Sequence, residues 1–383
     1  MRAYILKRVA QILLTYFLFL TGVFFLIDAQ PGDFGAAYFS DPRLTAEQRH
    51  TLSNALGLNK PVGERYVQWI GNFLKGDLGV SFSNYPRPVT DVIVERAPRT
   101  IVLFLTATVV SFYTGFAAGK FLAWKRGQLL EYTATIAGVS LFTVFTPWFA
   151  LVMIWLFAFR LGWVPIGKFI NAQFWMGSPV TAGSVFQQML VTAILAGLAL
   201  FTVLFLVRRL DARYRNYVRW GGFAVILAGV ILYWAQTGIG TLALDILHHL
   251  ILPVSVVTLI SFGGTMLLTR NSMLETLRED YILAARAKGL TEKEIRDKHA
   301  ARNAMLPVVT AFVFNLAFTL DGGIITETIF SWPGMGATLL EAAITEDIPM
   351  VMGGLVFTGF LALTAHLVAD IMYAYLDPRI RYA

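Results

Sequence analysis

Few residues in this chain are of types that do chemistry, and fewer are spaced for it. His248 and His249 invite a metal reading. Adjacent helical residues point about 100° apart, however, and do not face one site together. No carboxylate or third histidine stands at ligand spacing, and HExxH is absent. The glycines of GFAAGK, Gly115–Lys120, are one residue short of a phosphate loop and lie inside an apolar run. Without a loop of that kind the chain does not hold ATP through a phosphate cradle of its own. It has no cysteine, which excludes disulfides, thiolate metal sites and thiol nucleophiles. No nucleophile–base constellation has recognisable spacing, so the chain reads as a non-catalytic protein without a bound cofactor or metal.

What remains is a set of polar side chains in apolar surroundings: Asn315, Asp321, Glu327, His366 and Asp370. Polar groups within a membrane span are expensive and face the bundle interior, which makes these five candidates for a solute path. Helix–helix hydrogen bonding is the competing role. Asp321 and Glu327 have a further alternative, a place in an outer loop.

The elements that would position them surround a basic stretch, Glu279 to Pro307, EDYILAARAKGLTEKEIRDKHAARNAMLP. Ser272 with Glu275 has capping-box spacing, and Gly289 can close the helix that follows in the left-handed conformation. Leu290 supplies the apolar residue after the stop, and Thr291 with Glu294 opens a second helix. Ala284, Ala285 and Ala287 leave part of the first helix bare, so that another surface can approach its backbone. Arg286 and Lys288 sit on its last turn, where positive charge complements the helix dipole. One reading is a solvated basic connector. The other is a docking element that enters a partner's groove.

Of the 383 residues, 56% are hydrophobic and 14% charged, and the mean hydropathy is +0.63. Soluble domains carry roughly 25% charged residues. The net charge of +7 would raise nucleic acid as a partner in a soluble chain, but here the charges fall between apolar segments, which excludes that class. The start, with Arg2, Lys7 and Arg8 ahead of Val9–Ile27, has an apolar run too long for a signal core and is read as a retained first span.

The expected fold is all-α and integral to the membrane, a polytopic bundle of about eight spans. These are Val9–Ile27, Thr100–Ala123, Thr133–Phe159, Met189–Val207, Trp220–Gly240, Leu247–Thr269, Met305–Ile325 and Met350–Leu376. Pro147 is expected to kink the third. Lys and Arg cluster in alternate connectors, eight of them between Arg270 and Arg302, which puts both termini and the basic stretch in the cytoplasm. Asp28–Arg99 is too long for a structureless connector and should fold outside. In it, Thr45 with Gln48 would cap a short helix ending near Gly57. Tyr66, Trp69, Ile70, Phe73 and Leu74 form an apolar stripe at helical spacing.

AARAKGL followed by HAARNAMLP resembles the coupling segment of ABC-importer permeases, in the branch that carries dipeptides, oligopeptides, nickel and related solutes. The order LGLNKPVGERYVQWI, GDLG, RPV, RAPRT upstream, then HLILP, the loop from Glu327 and the closing DPRIRYA, is similar to that branch as well. The resemblance implies a type I ABC-importer permease subunit with an extracytoplasmic N-terminal insertion, lying in the cytoplasmic (inner) membrane of a prokaryote. It implies residues 1–98 as first helix plus outer region, 99–376 as the permease domain and 377–383 as a cytoplasmic tail. Ala284, Ala285, Arg286, Ala287, Lys288, Gly289 and Leu290 would contact an ATPase subunit, within a coupling segment 272–303. Position 283 is Leu where the wider motif has Glu, a departure this branch shares.

The implied partners are ABC ATPase subunits holding ATP and Mg, a second related permease chain, an extracytoplasmic solute-binding protein and membrane lipid. Peptide is the solute the resemblance favours, with nickel or oligosaccharide as alternatives; an ion-driven secondary transporter is the other class. The resemblance weakens from Phe169 to Leu244. Six spans is the usual count of the branch, so residues 185–242, around the arginine-rich RRLDARYRNYVRW, are read as an inserted hairpin. His366 stands where the branch commonly has Asn, while Asp370 keeps its acid.

Overall fold

A backbone within hydrocarbon has only itself to hydrogen-bond to, so long apolar runs fold as helices. The computed structural model describes residues 2–29, 45, 47, 60–319 and 323–376. Its regular elements there are helices, with an isolated antiparallel bridge between Val80 and Pro88. In order these are α1 (Arg2–Asp28), α2 (Val62–Leu74), α3 (Val89–Trp124), α4 (Leu129–Thr143), α5 (Thr146–Met153), α6 (Ala182–Val207), α7 (Ala212–Gln236) and α8 (Gly240–Thr276). A π-helical turn, Ile154–Arg160, extends α5. Then follow α9 (Asp280–Ala287), α10 (Glu292–Glu294), a π-helical turn Ile295–Ala300, α11 (Ala301–Thr319), α12 (Ile324–Ile329), α13 (Met335–Ile344) and α14 (Ile348–Leu376). The expected helix from Thr45 to Gly57, Asp321 and the tail 377–383 lie outside the described residues.

Six of the described helices are long and apolar enough to cross a membrane, or seven if α4 and α5 form one broken span. Two of the eight expected spans, the third and the seventh, are not among these six. Thr133–Phe159 is not one kinked helix: its two halves bend by 108°. The break falls at Val144 and Phe145, both extended, ahead of Pro147. Pro147 sits in the first turn of α5, where a missing N–H is tolerated, so it starts a helix in place of kinking one. Met305–Ile325 is described as α11 up to Thr319 and as α12 from Ile324, with residues 320–322 outside the described residues.

The chain divides into two compact units, Met1–Leu156 with Pro253–Ala383, and Phe157–Leu252. In the first, α1 and α14 run antiparallel. Arg8 pairs with Asp370 at 3.0 Å, the Tyr16 hydroxyl donates to the Val356 carbonyl at 3.0 Å, and Val23, Phe24 and Ile27 share a buried cluster with Ile348, Met352 and Phe82. Their outer termini, near Arg2 and Leu376, therefore lie at the same end of the pair. Helix α2 packs on α1: Arg65 meets Asp28 at 2.7 Å, Tyr66 meets the Phe24 ring edge-on and Trp69 meets it at a tilt, while Phe73 meets Tyr16. Leu74, expected on that stripe, is 77% exposed.

Glycines set the spacing of α3, α4 and α8. A Cβ at Gly115 would lie 2.8 Å from Thr265 Cβ, and one at Gly119 2.6 Å from Thr269 Cβ. One at Gly263 would meet the Gly138 carbonyl. Small residues of this kind let helices approach closely where water supplies no driving force. The run GFAAGK is thus a helix-packing element, with its glycines four apart.

In the second unit α6 and α7 form a hairpin, α6 capped by Thr181, whose hydroxyl accepts from the Ser184 N–H at 3.2 Å. The Asp245 carboxylate accepts from the Asn171 N–H at 3.0 Å and from the Trp175 indole at 2.8 Å. His249 Nδ1 donates to the Asp245 carbonyl at 2.8 Å, whereas His248 Nε2 lies 3.0 Å from the Trp163 carbonyl. The two rings serve different partners.

Candidate functional site

The basic stretch forms an elbow whose turn chemistry is that expected from its sequence. Gly289 has φ +75°, its N–H reaches the Arg286 carbonyl at 2.9 Å, and the Leu290 N–H reaches the Ala285 carbonyl at 3.3 Å. This double bond pattern around a left-handed glycine is a Schellman stop. Thr291 and Glu294 then complete a reciprocal capping box, with the Glu294 N–H donating to the Thr291 hydroxyl at 3.3 Å and the Thr291 N–H to the Glu294 carboxylate at 3.4 Å. The start differs from expectation. Ser272 caps nothing: α8 runs through it to Thr276, and α9 begins after Glu279, which is extended with ψ 145°. Met273 belongs to a buried cluster that Leu274 and Leu277 also pack against, so the apolar face carries the helix past the polar signal.

The alanines divide between two faces. Ala285 is buried beside Ile282, with Ala123, Met273, Ile295, Ala300, Ala301 and Ala304 around it. It therefore seats the elbow and leaves no bare surface. Leu283, Ala284, Arg286, Ala287 and Lys288 face outward, Leu283 with 61% of its surface exposed. The outward face is thus a leucine and two small residues flanked by two cations. Leu290 is half-buried against the cluster.

Polar contacts fix this elbow to the spans. Arg296 donates twice to the Asp297 carboxylate, both at 2.9 Å, and Lys120 at the end of α3 reaches the same carboxylate at 3.0 Å. The Arg296 guanidinium also lies 6.0 Å from the Trp124 ring. Donation from Arg296, helped by Lys120, holds the Asp297 carboxyl well below the usual carboxylate range. Asn303 joins the two limbs by donating to the Tyr281 hydroxyl at 2.7 Å. A displacement of α9 would therefore load α3, α8 and α11 together.

The intramembrane candidates separate. Asn315 lines a cavity of about 300 Å³ with Phe112, Phe142, Ser261, Thr265 and Phe312. Glu327 stands elsewhere, fully buried on the short helix α12. Its carboxylate accepts from the Thr100 hydroxyl at 2.6 Å and the Ala337 N–H at 2.9 Å. A Cβ at Gly334 would collide with that carboxylate, so the loop closes around it. Thr100 in turn accepts from the Met335 N–H at 2.7 Å, and Trp332 donates to the Arg99 carbonyl at 3.2 Å. Burial pushes the Glu327 carboxyl up, against these donors. Here it accepts from the first turn of α13, the hydrogen-bonding arrangement weighed against a solute path. Asp370 is paired with Arg8 across α1 and α14. His366 Nδ1 donates to the Ala362 carbonyl at 2.7 Å along its own helix. Asp321 lies outside the described residues.

Lys120, Trp124, Arg296 and Asp297 escaped sequence reasoning. The first two are distant in sequence from the last two, and only the fold joins them. The glycine pair Gly115 and Gly119 did carry a signal, the four-residue spacing of close-packed membrane helices.

Six or seven of the described helices are long and apolar enough to cross a membrane, and a capped polar elbow lies between α8 and α11, which defines a polytopic membrane protein. Residues 193–382 match the family described as binding-protein-dependent transport system inner membrane component. The chain is 31% identical to the di/tripeptide transport system permease protein DppB of Pseudomonas aeruginosa, covering 100% of this chain and 99% of that protein. It is 28% identical to the oligopeptide transport system permease protein AppB of Bacillus subtilis, covering 100% of both, and 29% identical to the dipeptide transport system permease protein DppB of Escherichia coli, covering 100% and 99%. The chain belongs to this family of inner-membrane permease components.

Proposed function

We propose that this chain is one permease subunit of an ATP-driven importer for peptides, and that α9 is its contact with a separate ATPase subunit. The observation that carries the reading is the outward face of α9, Leu283, Ala284 and Ala287 between Arg286 and Lys288, set on a rigid Schellman stop and capping box. Apolar and small groups on an otherwise polar elbow fit a groove in a partner protein. Peptide as solute is supported by the names of the relatives in Pseudomonas, Bacillus and Escherichia. The remaining partners are a second related permease chain and an extracytoplasmic binding protein that delivers the peptide.

ATP and Mg sit on the ATPase subunits. Closure of those subunits would pull α9, and through Asp297 and Asn303 the attached spans, between inward-open and outward-open states. A two-state bundle responds in this way only to contacts that differ between the states. The distribution of Lys and Arg, and the shared end of α1 and α14, support cytoplasmic termini and a cytoplasmic elbow. Residues 185–242 act as an inserted hairpin, and Asn315 with its cavity belongs to the solute path.

The test is reconstitution of the chain with its neighbouring permease, ATPase and binding subunits in liposomes, with labelled di- and tripeptides. ATP-dependent uptake that disappears with Gly289→Pro, together with loss of the co-purifying ATPase, is the expected result. Uptake by this chain without any ATPase would overturn the reading.

A further inference from the structure

The α6–α7 hairpin has no part in the elbow or the cavity, yet its turn is the most strongly basic short segment of the second unit. Arg208 and Arg209 follow α6, and Arg215 and Arg219 stand one turn apart at the start of α7, with Asp211 the lone acid among residues 208–219. All four of these arginines are exposed, and among the described residues none of them is in a salt bridge. Their contacts are with rings and backbone instead. The Arg209 guanidinium lies 5.1 Å from the Phe205 ring centre, that of Arg219 5.5 Å from Trp220, and Arg215 donates to the Leu210 carbonyl at 3.2 Å.

Tyr214, Tyr217 and Trp220 are exposed among them. Beyond this turn the helices are apolar on every side, with 6% and 0% of their most hydrophobic stretches buried. Lipid is therefore their solvent, and the aromatic residues mark the interface where acyl chain gives way to headgroup. Guanidinium groups held at that depth beside aromatic rings match phosphodiester oxygens, which they bind in a bidentate manner.

We propose that Arg208, Arg209, Arg215 and Arg219 form a binding site for anionic phospholipid headgroups in the leaflet that the α6–α7 turn meets. The inference is independent of the solute carried and of the ATPase contact. It is tested on the full chain in nanodiscs of phosphatidylcholine with increasing phosphatidylglycerol, using spin-labelled phosphatidylglycerol to measure the immobilised fraction. The expected result is a preference over phosphatidylcholine that falls about fivefold for each arginine changed to Gln. It survives in the fourfold Lys variant with weaker immobilisation, and resists millimolar inorganic phosphate. Retention of the full preference in the fourfold Gln variant, with helix content unchanged, would overturn it. So would displacement of the label by inorganic phosphate, or loss of label contact when the partner subunits are added, which would mark a free-phosphate or a protein site.

Discussion

Gly289→Val isolates the turn on which the elbow depends. At φ +75° a Cβ at Gly289 meets nothing within 4 Å, so collision is not the cost. The cost is conformational. An L-residue in the left-handed region loses about 1–2 kcal/mol, and a β-branched one falls at or above the top of that range. If the turn escapes by reopening, it forfeits the bonds from Gly289 to Arg286 and from Leu290 to Ala285, about 1 kcal/mol each. Leu290 also leaves its contact with the buried cluster. Either route shifts the population of the correctly set elbow by about 2 kcal/mol, roughly 30-fold. The assay is ATP-dependent uptake in proteoliposomes beside quantitative co-purification of the ATPase. Both should fall sharply while the amount of inserted permease is unchanged. Activity should rank Gly, then Asn, then Ala, then Val, since Asn tolerates this conformation best of the replacements. Wild-type uptake in Gly289→Val, or Val performing better than Asn, would refute the reasoning.

Gly263→Ala should separate α4 from α8, because the new Cβ would meet the Gly138 carbonyl; a loss of about 1–3 kcal/mol is expected, read as a lower Tm in detergent. Glu327→Gln replaces one of the two accepting oxygens by an amide NH2, so that either the Ala337 N–H or the Thr100 hydroxyl loses its acceptor; a loss of about 1–3 kcal/mol should appear as faster amide exchange in 335–338, while ATPase co-purification is unaffected. Asp297→Asn should loosen the elbow by about 0.5–1 kcal/mol, since the carboxylate is partly exposed. Because the folded carboxyl titrates lower than in the unfolded chain, its contribution is complete above the ordinary Asp range and lost as pH falls through the folded value. The Tm difference between wild type and Asp297→Asn should therefore be constant from pH 5 to 8 and shrink in acid.

Local rules carried much of this chain from sequence to structure. Gly289, Thr291 and Glu294 announce their turn and cap because each acts on backbone groups within a few residues. The apolar runs announce helices because lipid leaves no alternative. Failures came where the deciding contact is distant. Ser272 has the spacing of a cap, but the packing of Met273 on the elbow's cluster keeps α8 going. Glu327 reads as a polar group at a span's outer end until Thr100, from a helix more than two hundred residues earlier, is seen to donate to it. Pro147 was expected to bend a helix, whereas the chain bends just before it and uses it as a start. The packing role of the glycines in GFAAGK is hidden because their partners on α8, Thr265 and Thr269, are invisible in the linear sequence.

The native chain has no cysteine, so a single one placed at Ala287, on the outward face of α9, reports on that face alone. Cross-linking it in membranes to cysteines along the ATPase subunit's surface tests the account most directly. The account predicts a specific cross-link whose yield changes when ATP closes the ATPase pair. Labelling of the same cysteine only by reagents confined to the extracytoplasmic side, or the same yield with and without the partner, would contradict it.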